Sequence, residues 1–281
     1  MTTPDDLTQV DLVIARARKA QLAFEAHGSQ ARYDQAAQAV GWAIMEPARN
    51  RSLAELSVQT TGLGNVADKI TKNHRKTLGL LRDIADAKTF GVVLDDASTG
   101  ITEIARPIGV VGAVVPSTNP AATPANNIIN ALKGGNAIVL SPSPKGIPAC
   151  ALLLGYIYDE FDKLGLDHDL VQMVPAPGSK AKTQRMLETT DLVIVTGSQD
   201  NVRRAYIFGT PAIRVGAGNL TVIVAEAADL TAAASTLIAP QTFDTASSSS
   251  SANALVITDP ISAAFISAMA QAAASCARHT H

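Results

Sequence analysis

Five consecutive serines, Ser247 to Ser251, follow Thr242-Phe243-Asp244 and precede the apolar run Ala254-Leu255-Val256-Ile257. A serine hydroxyl becomes a useful nucleophile only beside a general base, and the local sequence offers none. A hydrolase triad is not spelled out either. Thr196-Gly197-Ser198-Gln199-Asp200 departs from the G-x-S-x-G elbow, and no His or Asp is spaced to complete a triad. A flexible linker is the plainer reading of the run, but five residues between Thr-Phe-Asp and a strand make a poor one.

A second set of groups suits anions. Pro116-Ser117-Thr118-Asn119-Pro120, Ser141-Pro142-Ser143-Pro144-Lys145-Gly146, Pro175-Ala176-Pro177-Gly178-Ser179 and Thr196-Gly197-Ser198 each follow an apolar run and precede a helix-length segment. Hydroxyls and free backbone N–H groups at helix N-termini favour phosphate or pyrophosphate. Ordinary turns also use Ser, Pro and Gly, so one such loop says little and four on one rim say more. Gly109-Val110-Val111-Gly112 opens its strand instead of closing it, so it is no G-x-G-x-x-G fingerprint.

Cys150 lies in the apolar run Ala149 to Leu154 and reads as a buried helix residue, while Cys276 lies near the end of the chain. Two isolated cysteines make neither a disulfide framework nor a structural zinc site. His27, His74 and His168 are scattered, and His279 with His281 reads as a frayed tail, so no metal site is expected.

The elements that would position these groups fall into two regimes. Up to about residue 85 the pattern is helical. Leu7, Val10, Ile14, Ala17 and Leu22 recur at helical spacing before Gly28, and further helices are expected over 35–45, 52–61 and 67–85. A hairpin over 89–94 and 101–106 follows. From Pro107, strands at 110–115, 137–140, 171–174, 192–195 and 221–224 alternate with helices at 124–132, 147–163, 180–187, 199–208 and 230–238. Unbroken apolar strands in this rhythm predict an α/β fold with a doubly wound parallel sheet, which binds ligands beyond the carboxyl ends of its strands.

The 281 residues, 47% apolar and 17% charged, suffice for one large or two modest domains. A net charge of −2, with no basic run interleaved with aromatics, gives nucleic-acid binding no support. An acidic start, Met1 to Asp6, and the absence of a long apolar span argue against a signal peptide or membrane helix, so a cytoplasmic protein is expected.

Several stretches resemble the acylating (CoA-dependent) aldehyde dehydrogenases. Residues 108–123, with Pro-Ser-Thr-Asn-Pro, are similar to the first coenzyme-domain strand and turn of that family, and 134–144 to its second strand and Ser-Pro-x-Pro turn. Residues 195–198, 209–213 and 215–219 follow in the family's order. Val-Thr-Gly-Ser-Gln and Asn-Val-Arg-Arg-Ala-Tyr are similar to the branch that oxidises sulfoacetaldehyde. The resemblance implies a Rossmann-like coenzyme domain preceded by N-terminal helices (1–240) and the start of a catalytic domain (241–281), with NAD or NADP as oxidant, coenzyme A as acyl acceptor, a small aldehyde as substrate and a homo-oligomeric assembly. It implies that Ser141, Ser143, Gly197, Ser198, Val215 and Gly216 line the coenzyme groove. Thr118 or Asn119, with the backbone N–H at 249, would hold the oxyanion. Val215 to Asn219 lacks the carboxylate that hydrolytic relatives use to activate water, which favours transfer to a thiol.

The departures gather where the chemistry belongs. Counting from Thr242 puts Ser249 in the seat of the family's reactive Cys, with Ala252 for Glu, Thr245 for Asn, Gln241 for Lys and Arg214 for Gly. A thiol with a pKa of about 8.5 is partly ionised near neutrality and a serine hydroxyl is not. Impaired turnover is therefore expected, and a catalytically inactive nucleotide-binding or partner-regulating protein is the alternative. The family pattern continues beyond the point reached at His281, so the rest of the catalytic domain and an oligomerisation arm are expected to be missing, with exposed apolar surface as a result.

Overall fold

A computed structural model describes residues 4–197, 209–215, 218, 220–248 and 251–278. By its internal contacts the chain forms two compact units, Met1–Gly62 with Lys69–Gly216, and Leu63–Asp68 with Ala217–His281. The boundary expected from the sequence lies at 240.

The first unit opens with the helices α1 (Pro4–Ala26), α2 (Gln30–Met45) and α3 (Pro47–Thr61) and the part from Lys69 onward of α4 (Val66–Asp83). Ser29 caps α2 by accepting from the Arg32 N–H, Pro47 opens α3, and Gly62 closes α3 in the left-handed region. On α1 the buried stripe is Val10, Val13, Ile14, Ala17, Ala20 and Phe24. Leu22, expected on that stripe, is 60% exposed, because the helical period carries the face through Ala20 and Phe24. The hairpin of β1 (Gly91–Asp96) and β2 (Ile101–Ala105) comes next.

The core of this unit is a five-stranded sheet in the order β5-β4-β3-β6-β7: β3 (Val110–Val115), β4 (Ala137–Pro142), β5 (Val171–Met173), β6 (Leu192–Thr196) and β7 (Ala212–Val215). All pairings are parallel. Every residue of β3 and β4 is buried, as unbroken apolar runs require. The crossovers α5 (Ala122–Lys133) and α6 (Ile147–Leu164) step outward from β3 to β5, and α7 (Lys180–Thr189) returns from β5 to β6 on the far side of β3. Right-handed crossovers put opposite steps on opposite faces. Accordingly α2 packs on α5 and α6, and α1 packs on α7. Two glycines serve this packing. A side chain at Gly109 (φ 125°) would collide with the Asp191 carboxylate, which accepts from the Val110 N–H at 2.7 Å. One at Gly112 would meet Thr190 Oγ1 at 2.7 Å, where the end of α7 presses on β3.

In the second unit β8 (Leu220–Val224) pairs in parallel with β9 (Ala252–Ile257), and α8 (Leu230–Thr242) and α9 (Ser262–Arg278) pack against each other. Val224, Ala234, Leu237, Ala252 and Phe265 form its core. The strand expected at 221–224 therefore does not join the five-stranded sheet. The place next to β6 belongs to β7, a strand the sequence reading did not assign. The helix expected at 199–208 lies outside the described residues.

Candidate functional site

Strand order reverses direction at β3, whose neighbours β4 and β6 are reached by crossovers on opposite faces. Such a point leaves a crevice beyond the carboxyl ends of the strands. A cavity of about 480 Å³ lies there, within the size range of small-molecule sites. Its walls are the ends of β3, β4 and β6 and one face of α7, with Ser117, Ser141, Ser143, Ser179, Thr183 and Thr196 as its hydroxyls.

Ser141, next to last in β4, meets Thr183 Oγ1 at 2.7 Å, while Thr183 Oγ1 lies 3.0 Å from the Ser179 carbonyl. Ser179 caps α7, its side chain accepting from the Lys182 N–H at 3.2 Å. Lys182 is buried and anchored to the Pro175 and Pro177 carbonyls and to Asp6 at 2.9 Å, which fixes the loop before α7. The Ser143 hydroxyl oxygen is buried without a hydrogen-bond partner among the described residues. An orphaned buried hydroxyl costs free energy until something pairs with it.

Of the residues expected at a coenzyme groove, Ser141, Ser143 and Gly197 line this cavity. Val215 ends β7, opposite Thr196 in register and 47% exposed, and is not among the lining residues. Thr118 and Asn119 sit on the turn after β3 between the lining residue Ser117 and α5, and are not in the lining themselves. The Thr118 carbonyl accepts from Lys69 Nζ at 2.8 Å. Ser198, Gly216 and Ser249 lie outside the described residues. Before Ser249, residues Asp244, Thr245 and Ala246 take left-handed φ values of 50°, 52° and 57°. Within that unit the Asp244 N–H donates to Asp68 Oδ2 at 2.7 Å, the Ser247 hydroxyl to Asp244 Oδ2 at 2.6 Å, and the Gly64 N–H to Thr245 Oγ1 at 3.2 Å.

The α7 face, Lys180, Thr183, Gln184 and Leu187, escaped the sequence reading. Its i, i+3, i+4, i+7 spacing after the Gly178-Ser179 turn was the available signal. Cys150 is fully buried and its thiol is pushed up to about 12 by burial, which leaves it no nucleophilic role. Among the described residues no group of three His, Cys, Asp or Glu could hold a metal, and no helix is long and apolar enough to cross a membrane.

Residues 3–279 match the model of the aldehyde dehydrogenase family. The chain is 58% identical over 261 residues to a sulfoacetaldehyde dehydrogenase (acylating) of Cupriavidus necator, covering 93% of this chain and 53% of that protein. Its structure resembles an acetylating aldehyde dehydrogenase from Geobacillus thermoglucosidasius, with a TM-score of 0.89 and 30% identity over 95% of this chain and 59% of that one. It also resembles a Rhodopseudomonas palustris propionaldehyde dehydrogenase holding CoA and an acylated cysteine, with a TM-score of 0.81 and 25% identity over 93% of this chain and 59% of that one. The chain spans about half the length of the curated sulfoacetaldehyde dehydrogenases it matches. With the match running from the helices before the sheet through to α9, the chain belongs to the aldehyde dehydrogenase family.

Proposed function

We propose that the cleft beyond β3, β4 and β6 binds a nicotinamide dinucleotide, NAD or NADP, and that the chain carries the coenzyme unit and nucleophile loop of an acylating aldehyde dehydrogenase. Such an enzyme oxidises a small aldehyde to an acyl-CoA through a covalent intermediate. The observation that carries this reading is the cavity's position at the strand-order reversal, walled by hydroxyls and the capped start of α7. The fit to a dinucleotide is supported by the orphaned Ser143 hydroxyl, which a ligand oxygen would satisfy, and by Gly178, Ser179 and Lys180, which bring the start of α7 into the cavity wall. When bound, the coenzyme supplies a hydride acceptor. Ser141, Ser143 and Gly197 would orient it, with Ser198, Val215 and Gly216 as further contacts by family resemblance. Thr118 and Asn119 are the proposed donors to the oxyanion that develops as the aldehyde is attacked.

Sulfoacetaldehyde is the proposed substrate, on the strength of the Cupriavidus necator relative. The chemistry needs a nucleophile, and position 249 holds a serine where the family resemblance calls for a cysteine. An unactivated hydroxyl stays protonated at neutral pH, so the chain is expected to bind coenzyme with little turnover. Ser249 and Ala252 favour a second reading, an inactive nucleotide-binding protein on the same scaffold. NADH or NADPH formation from sulfoacetaldehyde and coenzyme A, run for this chain and for Ser249→Cys, separates the two. Activity gained with cysteine supports an impaired enzyme. Robust activity with serine overturns the impairment. Absence of coenzyme binding by calorimetry overturns the assignment of the cleft.

A further inference from the structure

We infer that Lys69 is a positioning residue for the turn that carries Asn119. Lys69 lies in the first turns of α4 and is 1% exposed, and its ammonium group donates to the Thr118 carbonyl at 2.8 Å. The helix segment holding it is itself tied down. Asn50 of α3, 3% exposed, donates to the Ile70 carbonyl at 3.0 Å, and Asn73, also 3% exposed, donates to Asn50 Oδ1 at 2.9 Å. Hydrogen bonds from buried side chains thus tie α3 to α4, and α4 to the peptide between Thr118 and Asn119.

Stability alone is a poor reason for this arrangement. Taking an ammonium out of water carries a desolvation penalty that its partners offset only in part, and an apolar side chain of similar length often serves the core as well or better. What the cation does supply is orientation and polarisation. The peptide is planar and trans, so pinning the Thr118 carbonyl on one side fixes the Asn119 N–H on the opposite side. Positive charge at the carbonyl draws electron density through the amide and strengthens that N–H as a donor. It also fixes the backbone from which the Asn119 side chain projects. The catalytic consequence rests on the reading of Thr118 and Asn119 as oxyanion donors. The structural assignment of Lys69 does not.

Thr118-Asn119 is the one Thr-Asn dipeptide in the chain. Labelling threonine with carbonyl ¹³C and asparagine with ¹⁵N therefore yields a single carbonyl-to-amide NMR crosspeak from this peptide. In the full chain, Lys69→Met is expected to move the Thr118 carbonyl resonance upfield and shift the Asn119 amide with it, at an unchanged or higher melting temperature, while Lys69→Arg restores the parent position. If Lys69→Met fails to fold, Lys69→Gln, which keeps a neutral donor, is expected to give an intermediate position. A crosspeak that stays at the parent position in every folded variant overturns the inference. In a Ser249→Cys background, Lys69→Met is expected to lower kcat by about a hundredfold, the scale of a misplaced donor, with KM for the coenzyme unchanged. A moved crosspeak with Asn119→Ala leaving kcat intact overturns the oxyanion reading and leaves Lys69 as the residue that positions the turn.

Discussion

Ser141 and Thr183 meet hydroxyl to hydroxyl at 2.7 Å, joining the end of β4 to the first turns of α7 across the cleft. Thr183 Oγ1 also lies 3.0 Å from the Ser179 carbonyl, which can only accept, and with the Thr183 proton directed there Ser141 is the donor to Thr183. The lone pairs of Ser141 then remain for a ligand donor, as a ribose hydroxyl would be and a phosphate would not. Thr183→Val is expected to weaken dinucleotide binding about fivefold, the worth of roughly 1 kcal/mol of hydrogen bonding, by letting Ser141 rotate away. Calorimetric titration with NAD and NADP checks this. An unchanged affinity would place the ribose elsewhere.

Thr245 holds φ at 52°, a left-handed conformation that strains a β-branched side chain and that Asn tolerates. Thr245→Asn is expected to stabilise the second unit by about 1 kcal/mol, less whatever the hydrogen bond from the Gly64 N–H to Thr245 Oγ1 contributes. Urea unfolding curves for the two proteins measure the difference. A lower midpoint for the Asn variant would show that the hydroxyl contact outweighs the strain.

Burial pushes the Cys150 thiol up to about 12, so its thiolate is scarce at any ordinary pH. Alkylation with iodoacetamide at pH 8, mapped by mass spectrometry, should leave Cys150 unmodified in the folded protein and label it in urea. Comparable labelling in both states would contradict its placement in the buried core on α6.

Glu160, on α6, is buried, which by itself raises its pKa, but hydrogen bonds from Lys163 and Arg49, each at 2.7 Å, outweigh that and hold the carboxyl below its usual range. A depressed folded-state pKa contributes stability that is present above the unfolded value of about 4.3 and is lost as pH falls through the lower folded value. Glu160→Gln should therefore cost about 1–2 kcal/mol at pH 7 and progressively less below pH 4. Melting temperatures of both proteins across pH 3–7 give the test. A gap between them that widens toward acid would reverse the assignment.

The parallel sheet was legible because β3, β4 and β6 are short, nearly unbroken apolar runs alternating with helix-length segments, although full burial on both faces holds for β3 and β4 while β6 alternates buried and half-buried residues. The loops at their carboxyl ends were legible for a related reason, since each strand has to turn into a helix and uses Ser, Pro or Gly to do so. Strand partnership was not legible. Leu220 to Val224 has the same apolar character as β6, yet pairs with β9, and Ala212-Ile213-Arg214-Val215, broken by a charge, takes the place beside β6. Apolar composition states that a strand must be covered and says nothing about which edge covers it. In the same way the hydroxyls of Ser141 and Ser143 could be read from their loops, whereas Thr183 and Lys69 could not. Thr183 lies 42 residues from Ser141, and Lys69 lies 49 residues from Thr118. The sequence by itself determined most of the helices, the strands β3 to β6 and the turns at their carboxyl ends, because local periodicity and turn chemistry act over a few residues, whereas β7 was missed. Only the tertiary structure decided which hydroxyl faces which and where the buried cation rests, because those contacts join segments more than forty residues apart in the chain.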